Sequence, residues 1–506
     1  MMKKAFIALA LGVFLVMTVG SAYAYEAVYG PNEVLYYDSA KSYGGYHMFE
    51  FQGQTVLIDM QGRIVHTWDY TGNPEFTRDG TLLVTQNAVY YGDDTEAYSG
   101  FEELDWGGNI VHAYNVATRP EYAPHHDRIK TSYGSIIAIA HQPLTEEECL
   151  ANGSDPDNVL GFVGGFGIPG YAATPCAAIE IDSNNNIIWR WGFWDHIIQG
   201  YDPTKLNYGD RTDPANYGRL DINMDTNTKT GLSQDWNHCN SIDYNPVLDQ
   251  IVMNSREHGE IYVFDHSLSE EEAATRAGDF AFRWGNPANY SADALPPVFN
   301  GNGYEQLFGA HDVHWIPEGL PGAGDFLIYE NGSYRPDFAG KSYSYQIHPY
   351  DGDMEGGVYV KELDAGYSAG AGMLGVPGLQ WTSNQIAWQW STDEIGASMG
   401  TGGFFCPFIS GTRRLPNGNT ILTSGCNGHY IEVTPEHEVV WEYVVPLDYG
   451  NPVNGPCKMT MTFRSHRYGA DHPGLAGQDL TPMGTITGRP AGTTDAGSGT
   501  FMWHSY

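Results

Sequence analysis

Three histidines stand at the start of predicted strands in this 506-residue sequence, at comparable places in three repeats. They are His126, His238 and His311, and His314 follows the third of them. A neutral imidazole can attack an electrophile or move a proton near neutral pH. If a repeated fold brings these side chains to one axis, they form a catalytic centre, with His314 as a substrate-binding residue.

Two arginines accompany these histidines in a chain that has few cations. Arg335 follows a predicted strand in the same repeat as His311, and Arg256 has a similar place after His238. A guanidinium group binds tetrahedral oxyanions with two parallel hydrogen bonds. Arg335 is therefore a candidate catalytic residue and Arg256 a candidate substrate-binding residue. A cation–π contact with a tyrosine, or an intersheet ion pair with an aspartate, is the structural alternative for each.

The elements that would position these side chains are visible as a recurring pattern of a turn, a β-branched run and an aromatic residue. Alternation of apolar and polar residues with a period of two predicts a strand in each copy. Six copies indicate an all-β fold, a single-domain six-bladed β-propeller with loop insertions. The copies occupy residues 62–68, 108–114, 185–191, 279–284, 384–390 and 438–443.

The predicted domain boundaries follow from this repeat. The propeller is expected over residues 46–480, after an N-terminal extension at 25–45 and before a C-terminal tail at 481–506. We expect the last full unit, 409–446, and the incomplete first unit, 46–70, to share a blade and close the ring. The longest helix is predicted over residues 269–277.

The first 24 residues have the composition of a signal peptide. Lys3 and Lys4 precede an apolar run over residues 5–19, and Ala22-Tyr23-Ala24 fits a cleavage site. Cleavage is expected near Ala24/Tyr25, which predicts a periplasmic or secreted protein. Since no later apolar run approaches 18 residues, no membrane span is predicted.

The charge balance restricts the class of partner. The chain has 25 Lys and Arg against 61 Asp and Glu, a formal net charge of −36. Such a field repels phosphate backbones and anionic lipid surfaces, so neither nucleic acid nor a membrane surface is expected as a partner. Small molecules are the expected ligands, and a homo-oligomer is left open.

Six cysteines in an exported chain suggest disulfides. Cys149 and Cys176 bracket a Gly/Pro-rich insertion and are the favoured pair, and Cys406 with Cys426 is the second choice. No cysteines have C-x-x-C spacing, so no metal site is predicted. The oxygen-rich turns at 182–184 and 351–353 leave a divalent cation open, although solvated turns explain them more simply.

Several longer motifs resemble the arylsulfotransferase β-propeller family, and the likeness extends over about residues 45–480. One of them is the segment Asp-Trp-Asn-His-Cys-Asn-Ser-Ile-Asp that contains His238. The motifs lie at 234–246, 248–252, 260–266, 306–312, 322–324, 414–420, 463–468 and 473–475.

This resemblance implies a PAPS-independent aryl sulfate sulfotransferase that needs no cofactor. A histidine would take the sulfuryl group from a phenolic sulfate ester and pass it to a phenolic acceptor. The resemblance also implies residue roles, because His238 and His311 match active-site histidines of the family and Arg335 matches its sulfate-binding arginine. Tyr334 and Thr412 are further substrate-binding candidates.

The sequence departs from the family at the nucleophile. The family's nucleophile is a later histidine, yet no histidine occurs between His348 and His429. Ser410 and Thr412 stand at the repeat-equivalent position of the sixth unit. Either His126, His238 or His311 takes the nucleophilic role, or this chain has different chemistry.

Two other functions fit parts of the pattern. A non-catalytic exported propeller that binds a phenolic, sulfated or glycan ligand in its channel agrees with the missing histidine and the acidic surface. A quinone-cofactor dehydrogenase agrees with the Trp-rich repeats, but such proteins usually have eight blades and an adjacent cysteine pair, neither of which is visible here.

Overall fold

The computed structural model of the protein describes twelve stretches of the chain, which together include most of the propeller. They are residues 33–86, 99–116, 122–159, 171–226, 232, 235–294, 303–333, 335, 340–369, 381–395, 404–446 and 461–486. The predicted signal peptide, Tyr334 and Cys457 lie outside the described residues.

Six antiparallel sheets form the six blades, which confirms the predicted β-propeller. Strands are numbered in chain order, and each blade is given from its inner to its outer strand. Blade 1 contains β31 (His466–Tyr468), β2 (Tyr46–Phe51), β3 (Gln54–Asp59) and β4 (Ile64–Trp68). Blade 2 contains β5 (Glu75–Phe76), β6 (Leu82–Gln86), β7 (Ser99–Leu104) and β8 (Ile110–Val116). Blade 3 contains β9 (Ala123–Lys130), β10 (Ile136–His141), β11 (Cys176–Ile181) and β12 (Ile187–Gly192).

The other three blades complete the ring. Blade 4 contains β15 (Cys239–Asn245), β16 (Gln250–Ser255), β17 (Glu260–Asp265) and β18 (Phe282–Trp284). Blade 5 contains β19 (His311–Trp315), β20 (Phe326–Glu330), β21 (Tyr343–Ile347) and β26 (Ile386–Ser391). Blade 6 contains β27 (Gly411–Arg414), β28 (Thr420–Ser424), β29 (His429–Val433), β30 (Val439–Val444) and β1 (Glu33–Tyr37).

Short strand pairs and helices lie in the connections outside the six blade sheets. The two-stranded pairs are β13 (Ile197–Ile198) with β14 (Leu220–Asp221), β22 (Tyr350–Asp351) with β23 (Val358–Tyr359), and β24 (Tyr367–Ala369) with β25 (Trp381–Ser383). The α-helices are α1 (Glu146–Ala151), α2 (Glu270–Ala273) and α3 (Glu362–Ala365). Turns of 3₁₀-helix lie at Phe193–His196, Pro214–Asn216, Arg276–Gly278, Pro287–Asn289, Thr392–Ile395, Gly425–Asn427 and Pro473–Leu475. Among the described residues, none of the helices has the length and apolar character needed to cross a membrane.

The core lies between the blades, because side chains of a strand alternate between its two faces. Ile137 and Ile139 of β10 pack with blade 4, whereas Ile136 and Ala138 pack with blade 2. Each pair of neighbouring blades shares such an apolar cluster. The six repeat copies seen in the sequence are the fourth strands of the blades, and their aromatic residues join these clusters.

The ring closes differently from the sequence expectation, which is therefore wrong on this point. Residues 411–444 form four strands by themselves, so blade 6 has no place for the first unit. The first unit lacks an inner strand, and β31 supplies it by pairing Met48 with His466 in antiparallel register. At the other end, β1 adds a fifth, outer strand to blade 6 by pairing with β30.

Two local expectations are corrected by the structure. The helix predicted over 269–277 is α-helical only over Glu270–Ala273, where the Ser269 hydroxyl oxygen accepts the Glu272 N–H as an N-cap, and a 3₁₀ turn follows. The favoured Cys149–Cys176 disulfide is wrong, because both thiols are free. Cys149 points from α1 into the core, while Cys176 turns its sulfur to His125, 3.8 Å away.

The second-choice disulfide is present. Cys406 and Cys426 are bonded, with Cα atoms 5.5 Å apart. The bond ties the segment before β27 to the turn after β28, and Ile409 lies in the loop that it closes.

Candidate active site

The entrances of the inner strands of blades 3, 4 and 5 carry the three predicted histidines. His126 lies in β9, His238 directly precedes β15, and His311 is the first residue of β19. The backbone is left-handed at His126 (φ 57°) and His238 (φ 40°), a conformation that costs free energy for a residue with a Cβ. The strand register also shifts at all three places, as in a β-bulge. These bulges redirect single side chains out of the regular alternation.

The structure brings the three histidines together. The rings of His126 and His238 are 4.9 Å apart between centroids. Phe463, from the segment before β31, lies with its ring 6.2 Å from the rings of both His126 and His311. All three imidazoles are largely buried, so the cluster is a site enclosed by protein.

His238 forms a pair with a carboxylate. Its Nδ1 makes a short hydrogen bond to Oδ2 of Asp235, and both side chains are about nine-tenths buried or more. A carboxylate can only accept, so Nδ1 carries a proton, and Nε2 is the nitrogen whose lone pair can attack an electrophile. This is the arrangement that orients and activates an imidazole in many enzymes.

His311 has both ring nitrogens engaged. The Ile409 N–H donates to Nε2 at 3.2 Å, so the proton lies on Nδ1 and is directed to Asn331 Oδ1 at 2.7 Å. Burial, and next the positive charge of Arg256, hold the pKa of His311 well below its usual value. His311 is thus a neutral ring that fixes the loop of Ile409 beside the cluster.

His126 shares a hydrogen bond with its neighbour in sequence. The Nδ1 atoms of His125 and His126 are 2.6 Å apart, so one ring donates and the other accepts. Burial holds the pKa of both histidines well below the usual range, so both rings stay neutral. Neutral rings are the form needed for nucleophilic attack or metal ligation.

Arg256 supplies a cation next to His238. It follows β16, and its backbone N–H donates to the His238 carbonyl oxygen at 3.2 Å. Its guanidinium group pairs with Glu257 at 2.5 Å and remains partly exposed. The same positive charge contributes, after burial, to the lowered pKa of His311.

Arg335 has surroundings that resemble the structural alternative. The guanidinium carbon lies 4.6 Å from the ring centre of Tyr343 and 5.1 Å from that of Phe308. Its Nη1 is 3.6 Å from Glu330 Oε1, and burial raises the pKa of that carboxyl to about 7. Glu330 precedes Asn331, so Arg335 supports the strand end that holds His311 rather than adding a bare cation.

The remaining sequence candidates lie elsewhere or serve other contacts. His314 is buried and makes a short contact with Arg413, and Thr412 Oγ1 is 2.9 Å from Ser344 Oγ. Ser410 accepts the Gly425 N–H at 3.0 Å, and His429 is bonded to Glu442 at 2.8 Å. Ser410, Thr412 and His429, the candidates of the sixth unit, are thus each engaged in a structural contact.

Sequence reasoning missed the charges around the cluster. Arg464 Nη1 is 2.8 Å from Asp127 Oδ1, and its Nε is 2.8 Å from Asp312 Oδ1. Arg413 Nη2 also contacts Asp312 at 2.7 Å. Two signals were available in the sequence. Each aspartate directly follows a site histidine, and Arg464 lies in the motif 463–468, which is one of those that carry the family resemblance.

A second missed feature is a group of ligating side chains beside His126. His125, His141 and Cys176 each offer one ligand atom, and these atoms lie within 4.8 Å of one another. By contrast, the turn at Asp182 uses its carboxylate for its own backbone, accepting the N–H groups of Asn184 and Asn186. That turn therefore needs no ion.

Fold and site together define a six-bladed β-propeller with a largely buried histidine cluster near the start of the inner strands of blades 3, 4 and 5. Residues 177–350 match the family model described as Arylsulfotransferase (ASST), and this confirms the resemblance drawn from the motifs. The matched segment includes His238, Arg256, His311 and Arg335. No curated protein matches the chain.

Solved structures with weak likeness to this chain have diverse descriptions. A Bacteroides caccae protein of unknown function has 9% identity and a TM-score of 0.38, covering 83% of this chain and 98% of that one. Kuenenia stuttgartiensis hydrazine synthase has 13% identity and a TM-score of 0.29, covering 56% and 62%. The Pseudomonas aeruginosa periplasmic gluconolactonase has 11% identity and a TM-score of 0.30, covering 87% and 96%. Likeness at this level carries no functional inference.

Proposed function

We propose that this protein is an exported aryl sulfate sulfotransferase in which His238 is the nucleophile. It moves a sulfuryl group from a phenolic sulfate ester to a phenolic acceptor without PAPS. The family match over residues 177–350 supports a sulfotransferase-like function. The reaction, the residue roles and the location outside the cytoplasm are proposals.

The observation that carries the choice of nucleophile is the Asp235–His238 pair. Its geometry leaves a lone pair on Nε2 of His238, whereas Nε2 of His311 already accepts the Ile409 N–H. The resemblance implies a late nucleophilic histidine, yet no histidine occurs between His348 and His429, so we assign the role to blades 3–5. His238 has the orienting carboxylate that a nucleophilic imidazole needs.

The reaction then balances in two steps. Nε2 of His238 attacks sulfur, an N–S bond forms, the S–O bond to the donor phenol breaks, and that phenoxide leaves with a proton. In the second step the acceptor phenol loses its proton, its oxygen attacks the same sulfur, and the N–S bond breaks. We assign His126, whose ring lies 4.9 Å from that of His238, to pass these protons between the phenolic oxygens and water, accepting on one ring nitrogen and donating from the other.

Arg256 is the proposed partner of the sulfuryl oxygens. Negative charge on these oxygens and on the leaving phenoxide must be stabilised in the transition state, where a fixed cation in a buried site has its largest effect. The backbone of Arg256 is bonded to that of His238, and its side chain stays partly exposed although it pairs with Glu257. Arg335 is more deeply buried, between Glu330 and two aromatic rings. We therefore assign the binding role to Arg256 and a supporting role to Arg335.

The test uses 4-nitrophenyl sulfate with purified full-length protein. Nitrophenol release should rise when a phenol acceptor is added, and incubation with donor alone should leave a sulfuryl group on the peptide that contains His238. His238→Ala should lower turnover by more than about 10⁴-fold, since it removes the nucleophile. His112→Ala, on the outer strand β8, is the matched control and should keep full turnover.

Two outcomes would contradict the proposal. Adduct formation on another histidine would reassign the nucleophile. Binding of phenols or aryl sulfates that requires His238, with no release of phenol from any donor, would establish the non-catalytic ligand-binding propeller instead.

A further inference from the structure

Three neighbouring strands of blade 3 each place one ligating side chain at the same end of the sheet. His125 lies in β9, His141 is the last residue of β10, and Cys176 is the first residue of β11. In the strand register His141 stands directly opposite Cys176 on one side and opposite Ala123 on the other. Side chains opposite each other in antiparallel strands are within contact distance. The sheet itself therefore fixes the group.

The spacing of the ligand atoms fits a bound metal ion. His125 Nε2 is 3.8 Å from Cys176 Sγ, and the rings of His125 and His141 stack with centroids 3.7 Å apart. Zinc bonds of about 2.0–2.1 Å to nitrogen and about 2.3 Å to sulfur place those ligands roughly 3.5–3.8 Å apart at tetrahedral to trigonal angles. Coordination would keep the His125–Cys176 spacing and would turn the two stacked imidazole rings so that their lone pairs converge on the ion.

Second contacts around the group match those of metal ligands. The Cys239 backbone N–H donates to Cys176 Sγ at 3.2 Å, which stabilises negative charge on the sulfur. The Nδ1 of His125 is held at 2.6 Å by Nδ1 of His126, leaving Nε2 directed to Cys176. Ligating histidines are commonly oriented through the other ring nitrogen in this way.

We infer that His125, His141 and Cys176 form a binding site for a thiophilic transition-metal ion, Zn²⁺ or copper. Two imidazoles and one thiolate suit these ions, whereas Mg²⁺ and Ca²⁺ require oxygen ligands. Three protein ligands leave a further position for water or another small ligand, as in catalytic zinc sites. This inference concerns metal binding and stands independently of sulfuryl transfer.

Metal binding would also set the proton on His126. An ion on Nε2 of His125 requires the proton of that ring to be on Nδ1, so His125 donates and His126 accepts. His126 then carries its own proton on Nε2 and is a hydrogen-bond donor there. This consequence rests on the proposed function, in which His126 exchanges a proton with the phenolic oxygens.

The experiment measures ion binding by the full chain after removal of metal with a chelator. Equilibrium dialysis should give one equivalent of Zn²⁺ or copper per chain, with the preferred ion identified by competition between the two. Co²⁺ should report the thiolate through a sulfur-to-metal charge-transfer band. Cys176→Ala and His141→Gln should each weaken binding by more than about 100-fold, and Cys176→Ala should remove the band.

Matched controls separate the site from adventitious binding. Cys149→Ala removes another buried free thiol from the same apolar cluster, and His112→Gln removes an outer-strand imidazole. Both controls should bind the ion as the wild type does, and circular dichroism should show that every variant is folded. Equal binding by all variants, or a disulfide between Cys176 and Cys239 in the purified protein, would overturn the inference.

Discussion

Consecutive residues of the same inner strands behave in opposite ways in this propeller. His126 and His311 are buried as neutral rings, while Asp127 and Asp312, the very next residues, are buried beside arginines. Neighbouring positions on a strand point in different directions, so one set enters the histidine cluster and the other set faces the adjoining blades. In each strand, the same irregular stretch thus supplies a histidine of the site and an aspartate that contacts the adjoining blades.

The aspartates connect blades through their second oxygen. Asp127 Oδ2 accepts the Ile242 N–H at 2.9 Å, and Asp312 Oδ2 accepts the Thr412 N–H at 2.9 Å. Arg464 bridges both carboxylates from the segment before β31 and is about 5% exposed. An ionisable side chain is thus buried in this fold in one of two ways. It is neutral, as the histidines are, or its charge is paired, as in the aspartates.

Removing Arg464 tests the ion pairs with Asp127 and Asp312, and it should have the largest effect on stability. Arg464→Met leaves two buried carboxylates without their shared cation, and the free energy of unfolding should fall by about 3–5 kcal/mol. Chemical denaturation measures this. Adding Asp127→Asn and Asp312→Asn to the variant should recover part of the loss, because uncompensated charge causes it. An unchanged denaturation midpoint for Arg464→Met would refute the role.

Substituting Arg256 and Arg335 separately distinguishes a catalytic arginine from one that stabilises the fold. Arg256→Ala should lower turnover by about 10²–10³-fold, as loss of a transition-state cation does, although it also leaves the buried Glu257 carboxylate without this ion pair. Arg335→Ala should instead lower the free energy of unfolding by about 1–3 kcal/mol. This loss is smaller than for Arg464 because Glu330, with its pKa raised to about 7, can take up a proton. Steady-state kinetics and denaturation of both variants would show the reverse pattern if the assignment were wrong.

The neutral state of buried His311 should be visible in the pH dependence of the free energy of unfolding. Because the pKa of His311 is lowered in the folded state, the unfolded chain binds a proton first as the pH falls below about 6.5. This group therefore lowers wild-type stability on acidification by up to about 1.4 kcal/mol per pH unit until the folded pKa is reached. The stability of His311→Asn relative to wild type should rise by that slope between pH 6.5 and 5. A constant difference across this range would contradict a neutral, buried His311.

The sequence predicted the parts of the fold that depend on local pattern. Period-two alternation with a terminal aromatic marked the fourth strand of every blade, so the number of blades followed directly. Ring closure could not be read in the same way, since β31 is only three residues long and its partner β2 lies at the far end of the chain. Such a short strand has no periodic signal of its own.

The site was predictable to the same extent. Repeat position identified His126, His238 and His311, because equivalent strand starts must converge. The group of His125, His141 and Cys176 was missed, since its members come from three strands and a long insertion separates the last two. The favoured Cys149–Cys176 disulfide failed for a related reason, because linear proximity around an insertion does not determine where a sulfur points.

The strand that completes blade 1 also sets the order of folding during synthesis. Domains form as the chain emerges from its N-terminus, yet the inner edge of β2 stays unpaired until residues 466–468 have been made. An unpaired edge favours aggregation and recognition by chaperones. A chain that stops before residue 464 lacks both the closing strand and the arginine that joins three blades. Only a polypeptide that extends through residue 468 can therefore reach the closed ring, and a chain terminated before that point keeps the inner edge of β2 unpaired.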